Sequence, residues 1–168
     1  YQVGLIIFDH EAQLLCRFGN SLEEVQKSLK TVYSGGGTQL HQALDKGRET
    51  LAEGRPAVKK TVILLSDGGS DRKAADKSAR DLRNHPTQPQ VICVGLGAYV
   101  DAALLKSVAG REDNYVHIEK ANHLEPLFEL LARVVGGEAA SSGVVEERLM
   151  APRPFRLEHT GEWFPLQV

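Results

Sequence analysis

The chain has 168 residues, enough for one domain with a single hydrophobic core and a short extension. Hydrophobic residues make up 42% and charged residues 25%, which is typical of a globular protein. The net charge of −2 argues against nucleic acid as a partner, and no apolar run reaches the roughly 20 residues that span a bilayer.

The first elements predicted are a hairpin and a helix. Residues 2–8 (QVGLIIF) and 12–18 (AQLLCRF) are apolar and separated by a short polar break, so they predict two antiparallel strands. Ser21 and Glu24 have the spacing of a capping box, and apolar residues follow at helical spacing. We therefore expect a helix directly after the hairpin.

The next elements alternate between helix and strand. A glycine-rich loop at residues 35–37 precedes a helix predicted to start at Thr38, and residues 60–66 (KTVILLS) predict a strand covered on both faces. The remaining predicted elements are a helix at 72–84, a strand at 91–94, a helix at 102–108, a strand at 115–118 and a helix that Asn122 caps and Gly136 closes.

This order predicts an α/β fold: a doubly wound, mostly parallel sheet with one antiparallel edge strand and helices on both faces. Sites in such sheets lie beyond the carboxyl ends of the strands. Two loops fit that position, residues 35–38 and 66–70. Beyond the domain at 1–136, residues 137–143 predict a linker. Residues 144–168 predict either the start of a second, β-rich domain or a tail that packs back on the first.

Four segments in this order resemble the von Willebrand factor A family, over roughly residues 2–136. They are residues 3–8 (VGLIIF), 36–40 (GGTQL), 62–68 (VILLSDG) and 91–97 (VICVGLG). The resemblance implies a protein-binding module with a metal-ion-dependent adhesion site. It assigns Thr38 and Asp67 as metal ligands, and Gly36, Gly37, Ser66 and Gly68 to the loops of the ligand face.

The third part of the family's metal site, an Asp-x-Ser-x-Ser motif after the first strand, does not occur in this sequence. The segment most similar to this motif starts at Asp76, but it has Arg80 where the motif requires a serine. It also lies within a predicted helix. The chain is therefore expected to begin at the family's second strand, with residues preceding Tyr1 in nature. Mg²⁺ takes about six oxygen ligands, so Mg²⁺ or Mn²⁺ is expected to bind only if the missing ligands are supplied.

Most of the assigned residues also have another explanation. Asp67 could be a turn aspartate, because Asp-Gly is a common turn pair, and Thr38 could be a helix N-cap. Ser66 and Ser70 could support the metal site or cap helices, and capping is favoured for Ser70. The glycines at residues 35–37 could instead cradle a phosphate, but they neither follow a strand directly nor precede a Gly-Lys-Ser/Thr string.

The cysteines and histidines indicate no further chemistry. Cys16 and Cys93 lack C-x-x-C spacing, which favours two buried thiols, with a disulfide between them as the alternative. The six histidines are scattered and none pairs at zinc-ligand spacing on one helix face.

Three functions remain open. The first is a metal-dependent module that captures an acidic side chain on a partner protein. The second is a metal-independent scaffold, in which an open sheet position is filled by a partner strand or a second copy. The third is an enzyme of doubly wound, nucleotide-binding type. No catalytic constellation supports the third, so the chain is expected not to be an enzyme.

Overall fold

The computed structural model describes residues 2–32, 36–55, 58–135, 153–156 and 163–166. They form two compact units. The first contains the described residues of 1–62 and 69–89, and the second those of 63–68 and 90–168. Gly35, Gly136 and the predicted linker at 137–143 lie outside the described residues.

The first unit contains the hairpin and three helices: β1 (Leu5–Phe8), β2 (Ala12–Cys16), α1 (Leu22–Leu29), α2 (Leu40–Glu53) and α3 (Arg72–Arg83). The two strands pair antiparallel as predicted. They are shorter than predicted: at the far end of β2 the Arg17 N–H donates to Asn20 Oδ1 (2.8 Å), which turns the chain. The predicted capping box is confirmed, because Ser21 Oγ accepts from the Glu24 N–H and Glu24 Oε2 accepts from the Ser21 N–H.

Helix α2 carries the core of this unit, because it lies on both strands of the hairpin and packs along α3. Leu40 and Leu44 of α2 are buried, as are Ala75 and Leu82 of α3. The spacing of these residues places them on one face of each helix. The apolar faces of the two helices therefore form the core of this unit.

The second unit contains a parallel three-stranded sheet with helices around it. Its elements are β3 (Thr61–Ser66), whose last four residues belong to this unit, β4 (Gln90–Leu96), α4 (Ala102–Ala109), β5 (Tyr115–Ile118) and α5 (Leu124–Val135). The strand order is β3-β4-β5, and β4 is buried from Gln90 to Gly95. The strand predicted to be covered on both faces was β3, but it leaves Ile63 37% exposed.

The α/β fold class is confirmed, with parallel and antiparallel strands in separate sheets. The antiparallel pair β1–β2 forms a two-stranded sheet of its own within the described part of the chain. Near the C-terminus, β6 (Arg153–Arg156) and β7 (Trp163–Leu166) pair antiparallel. Whether residues 144–168 belong to a second domain or to a tail stays a prediction.

The structure also bears on the two cysteines and on the question of a membrane-spanning helix. Cys16 and Cys93 are both buried and neither is in a disulfide, as the absence of C-x-x-C spacing predicted. None of the helices that the structure describes combines the length and the apolar character needed to cross a bilayer.

Tyr115 on β5 carries a buried hydroxyl that has no hydrogen-bond partner among the described residues. Burial, and secondarily the charge of Cys93, raises the pKa of this phenol above its ordinary value of 10.0. At pH 7 the phenol is neutral in both folded and unfolded chains. Above pH 10 the folded chain retains the proton longer, so stability falls as pH rises towards the folded pKa.

We expect Tyr115→Phe to raise the free energy of unfolding by about 1 kcal/mol at pH 7, because it removes an unpaired buried hydroxyl. We also expect it to reduce the loss of stability above pH 10. Urea unfolding at pH 7 and across the alkaline range measures both effects. A variant less stable than the wild type at pH 7 would show that the hydroxyl makes a stabilising contact.

Candidate functional site

The carboxyl end of β3 leads into a tight turn that presents Asp67 to solvent. The Gly68 N–H donates to Ser66 Oγ (3.0 Å), which closes the turn. Gly68 has φ +84°, a left-handed conformation that favours glycine. A Cβ at this position would lie 3.1 Å from both Cβ and the carbonyl oxygen of Asp101, so an added side chain would require Asp101 to move slightly.

Asp101 fixes this turn to the start of α4. Its N–H donates to the carbonyl oxygen of Asp67 (2.8 Å), and its Oδ1 accepts from the Leu104 N–H (3.0 Å) as the N-cap of α4. The backbone of Asp67 is thus held by a capped helix while its side chain stays exposed. A carboxylate presented from a fixed backbone suits a ligand contact better than one on a mobile loop.

The glycine-rich loop of the first unit is held by the hairpin turn. The Gln39 N–H donates to the carbonyl oxygen of Asp9 (2.7 Å). Gly37 has φ +91°, and a Cβ there would lie 2.9 Å from His10 Nδ1. No motif distinguishes His10 from the other five histidines. Its position in the turn between two predicted strands was the only available signal.

The predicted helix start at Thr38 is wrong by two residues. Helix α2 begins at Leu40, and its N-cap is Gln39, which makes no side-chain cap hydrogen bond. The Leu40 N–H instead donates to Ser70 Oγ (3.2 Å). Gln39 has φ −89° and ψ 68°, which are not helical values, so the first helical residue is Leu40. Thr38 is half-buried and is not the N-cap.

Ser70 was expected to cap a helix, and it does so by accepting from the Leu40 N–H of α2. It does not cap α3, the helix that directly follows it. The N-cap of α3 is Asp71, whose Oδ1 accepts from the Ala74 N–H (2.9 Å).

The six residues assigned by resemblance fall into two groups. Gly36, Gly37 and Thr38 share the loop of the first unit, and Ser66, Asp67 and Gly68 share the turn of the second unit. The assignment of Thr38 and Asp67 as metal ligands stays a prediction.

The donor set of these residues is small for a divalent cation. One carboxylate and one hydroxyl supply two of the roughly six oxygens that Mg²⁺ takes. Within the described part of the chain, no three His, Cys, Asp or Glu side chains are grouped so as to hold a metal. Thr38 and Asp67 therefore do not by themselves fit Mg²⁺ or Mn²⁺.

Solved structures share this fold. A von Willebrand factor type A protein from Catenulispora acidiphila is 16% identical, with a TM-score of 0.66 over 80% of this chain and 34% of that one. Proximal thread matrix protein 1 from the mussel byssus, with a zinc-occupied MIDAS motif, is 23% identical. Its TM-score is 0.62 over 77% of this chain and 35% of that one. At these identities the likeness establishes the fold alone.

The sequence comparisons are more specific. Human von Willebrand factor A domain-containing protein 2 is 29% identical in an alignment of 147 residues that covers 82% of this chain and 19% of that protein. The chain thus spans about a fifth of the length of this relative. The family profile of the von Willebrand factor type A domain matches residues 1–130, which is more than three quarters of the sequence. The chain belongs to the von Willebrand factor type A domain family.

Proposed function

We propose that the chain binds a partner protein through the turn that carries Asp67. The supporting observation is an exposed carboxylate at the carboxyl end of a strand, on a backbone that Asp101 holds in place. In doubly wound sheets, ligands bind at this edge. The family consists mostly of non-enzymatic interaction modules, and no catalytic activity is proposed.

The proposal includes a conditional metal site. The family resemblance assigns Thr38 and Asp67 as ligands, and a structural relative is described with zinc in its MIDAS motif. Because two donors are too few, Mg²⁺ or Mn²⁺ is proposed to bind only when further carboxylate and hydroxyl oxygens are supplied. The partner is then proposed to contribute an acidic side chain.

An N-terminal extension tests this condition directly. The extension carries an apolar strand followed by Asp-x-Ser-x-Ser, and the matched control has alanine at those three positions. The extended chain is expected to gain thermal stability with Mn²⁺, and Asp67→Ala or Thr38→Val should remove the gain. A gain that survives Asp67→Ala would show that this residue is not a ligand.

The strand edges favour a second candidate, a scaffold that pairs with another strand. All four residues of β1 (Leu5–Phe8) are apolar but only half-buried. Ile63 on β3 is 37% exposed, whereas the residues of β4 from Gln90 to Gly95 are buried. Among the described strands, β1 and β3 are each an outer strand of their own sheet. Apolar outer strands without charged residues are templates for pairing.

Sedimentation in EDTA tests pairing between copies of this chain. A scaffold of this kind is expected to form dimers at concentrations up to roughly 100 μM. Ile63→Lys should weaken them, because it places a charge on an outer strand. Val58→Lys is the matched control. Val58 is, like Ile63, an exposed apolar residue (49%), but it lies outside the strands. A chain that stays monomeric throughout would contradict self-pairing.

A further inference from the structure

Asp67 and Gly68 form the one Asp-Gly pair in the sequence, which contains no Asn-Gly pair. The two residues of such a pair can react with each other. The Gly68 backbone nitrogen attacks the carboxyl carbon of the Asp67 side chain, water leaves, and a five-membered succinimide ring forms. Glycine favours this attack because it has no Cβ to obstruct the approach. Asp67 is exposed, so water can reach the ring once it has formed.

Water then opens the succinimide at either of its two carbonyl carbons. One opening restores aspartate, and the other gives isoaspartate, in which the backbone runs through the former side chain. The second step takes up the water that the first step releases, so no oxidant, reductant or cofactor is required. The backbone of isoaspartate is one carbon longer, and its free carboxylate is the former main-chain carboxyl. The conversion therefore changes the turn that presents Asp67.

Both polar groups of the peptide bond between Asp67 and Gly68 are hydrogen-bonded. The carbonyl oxygen accepts from the Asp101 N–H (2.8 Å), and the N–H donates to Ser66 Oγ (3.0 Å). All four residues lie in the second unit. A serine hydroxyl that binds the N–H two residues later is a common way to fix a turn. The nitrogen that would attack the Asp67 side chain is thus the nitrogen that Ser66 holds.

Packing around Gly68 opposes the rotation that the attack requires. Gly68 is buried, and its φ of +84° is set within the turn. A Cβ on Gly68 would lie 3.1 Å from Asp101 Cβ and 3.3 Å from Leu105 Cγ, so these neighbours surround it closely. A closely packed residue has little room to rotate. The attack therefore requires the turn to open.

We propose that Asp67 is a site of isoaspartate formation, and that the Ser66 hydroxyl holds the turn in its unreactive arrangement. The folded chain reacts only while the hydrogen bond between Ser66 and Gly68 is open, through a local fluctuation of the turn. An unfolded chain lacks this restraint and reacts faster. The inference needs neither a metal nor a partner protein, so it stands or falls independently of the proposed function.

The first test compares the folded 168-residue chain with a synthetic peptide of residues 62–72. Both are kept at physiological temperature and pH. Isoaspartate is quantified by methylation with an isoaspartyl methyltransferase, and mass spectrometry of fragments assigns it to Asp67. The peptide is expected to react about 30-fold faster, which is the factor that two neutral hydrogen bonds supply.

Variants of the folded chain test the role of the hydroxyl. Ser66→Ala is expected to react about fivefold faster than the wild type, because it removes one neutral hydrogen bond from Gly68. Ser66→Thr keeps a hydroxyl and should stay within about twofold of the wild type. Ser70→Ala is the matched control, because that hydroxyl accepts from the Leu40 N–H instead. It should react at the wild-type rate.

Thermal melting first checks that each variant is folded at the temperature of the reaction. A wild-type rate in Ser66→Ala would overturn the inference, as would an equal increase in Ser70→Ala. Equal rates in the folded chain and the peptide would also overturn it, because the turn would then give no protection. The same holds if neither sample forms isoaspartate. The comparison with the peptide needs no variant, so it decides the matter even if Ser66→Ala does not fold.

Discussion

Gly95→Ala is expected to lower the free energy of unfolding by about 2–3 kcal/mol, because it overpacks a buried site. An ideal Cβ at Gly95 would lie 2.7 Å from Val100 Cγ1 and 2.8 Å from Tyr115 Oη. Both distances are shorter than real Cβ contacts, so side chains on two neighbouring segments would have to move. Gly95 lies on the buried central strand β4, where little space exists for that movement.

Gly47→Ala is the matched control and is expected to act in the opposite direction. Gly47 lies within α2, and a Cβ there would meet no atom within 4 Å. Alanine in a helix interior is more stable than glycine by about 0.5–1 kcal/mol. Urea unfolding of both variants measures the difference. If the two substitutions change stability by similar amounts, the contacts around Gly95 are not the cause of its effect.

Gly68→Ala is expected to cost about 2–3 kcal/mol of stability, from two separate causes. The first is the left-handed backbone conformation, since φ is +84°. The second is contact, because the added Cβ would lie 3.1 Å from the Asp101 carbonyl oxygen and 3.3 Å from Leu105 Cγ. The substitution should also displace Asp67, which precedes Gly68 and is bonded to Asp101.

Gly97→Ala separates these two causes. Gly97 also has a positive φ (+105°), but a Cβ there would meet nothing within 4 Å. Its replacement is expected to cost only the conformational part, about 1–2 kcal/mol. The excess loss in Gly68→Ala, measured by urea unfolding, then reports the contact with Asp101. Equal losses in the two variants would mean that this contact has no energetic weight.

Local patterns were sufficient for most elements. The apolar run at residues 91–94 predicted β4, and the spacing of Ser21 and Glu24 predicted the start of α1. Both features depend on residues close together in the chain. The start of α2 did not, because the Leu40 N–H at that start donates to Ser70, which lies 30 residues away in the chain.

The candidate site was predictable only in part for the same reason. The order of motifs identified the loops of Thr38 and Asp67 through the family resemblance. Their supports, His10 beside Gly37 and Asp101 beside Gly68, are contacts between segments far apart in sequence.

The Asp67 turn is proposed to be a protein-binding edge. Its metal site is proposed to need ligands beyond Thr38 and Asp67. A thermal melt of the chain, stripped with EDTA and measured with and without millimolar Mg²⁺ or Mn²⁺, tests it most directly. An ion that binds only the folded state stabilises by about 2.7 kcal/mol at a hundredfold excess over Kd. We expect no shift in Tm for the chain alone. A rise of several degrees that Asp67→Ala abolishes would contradict it, because two residues would then suffice for a working site.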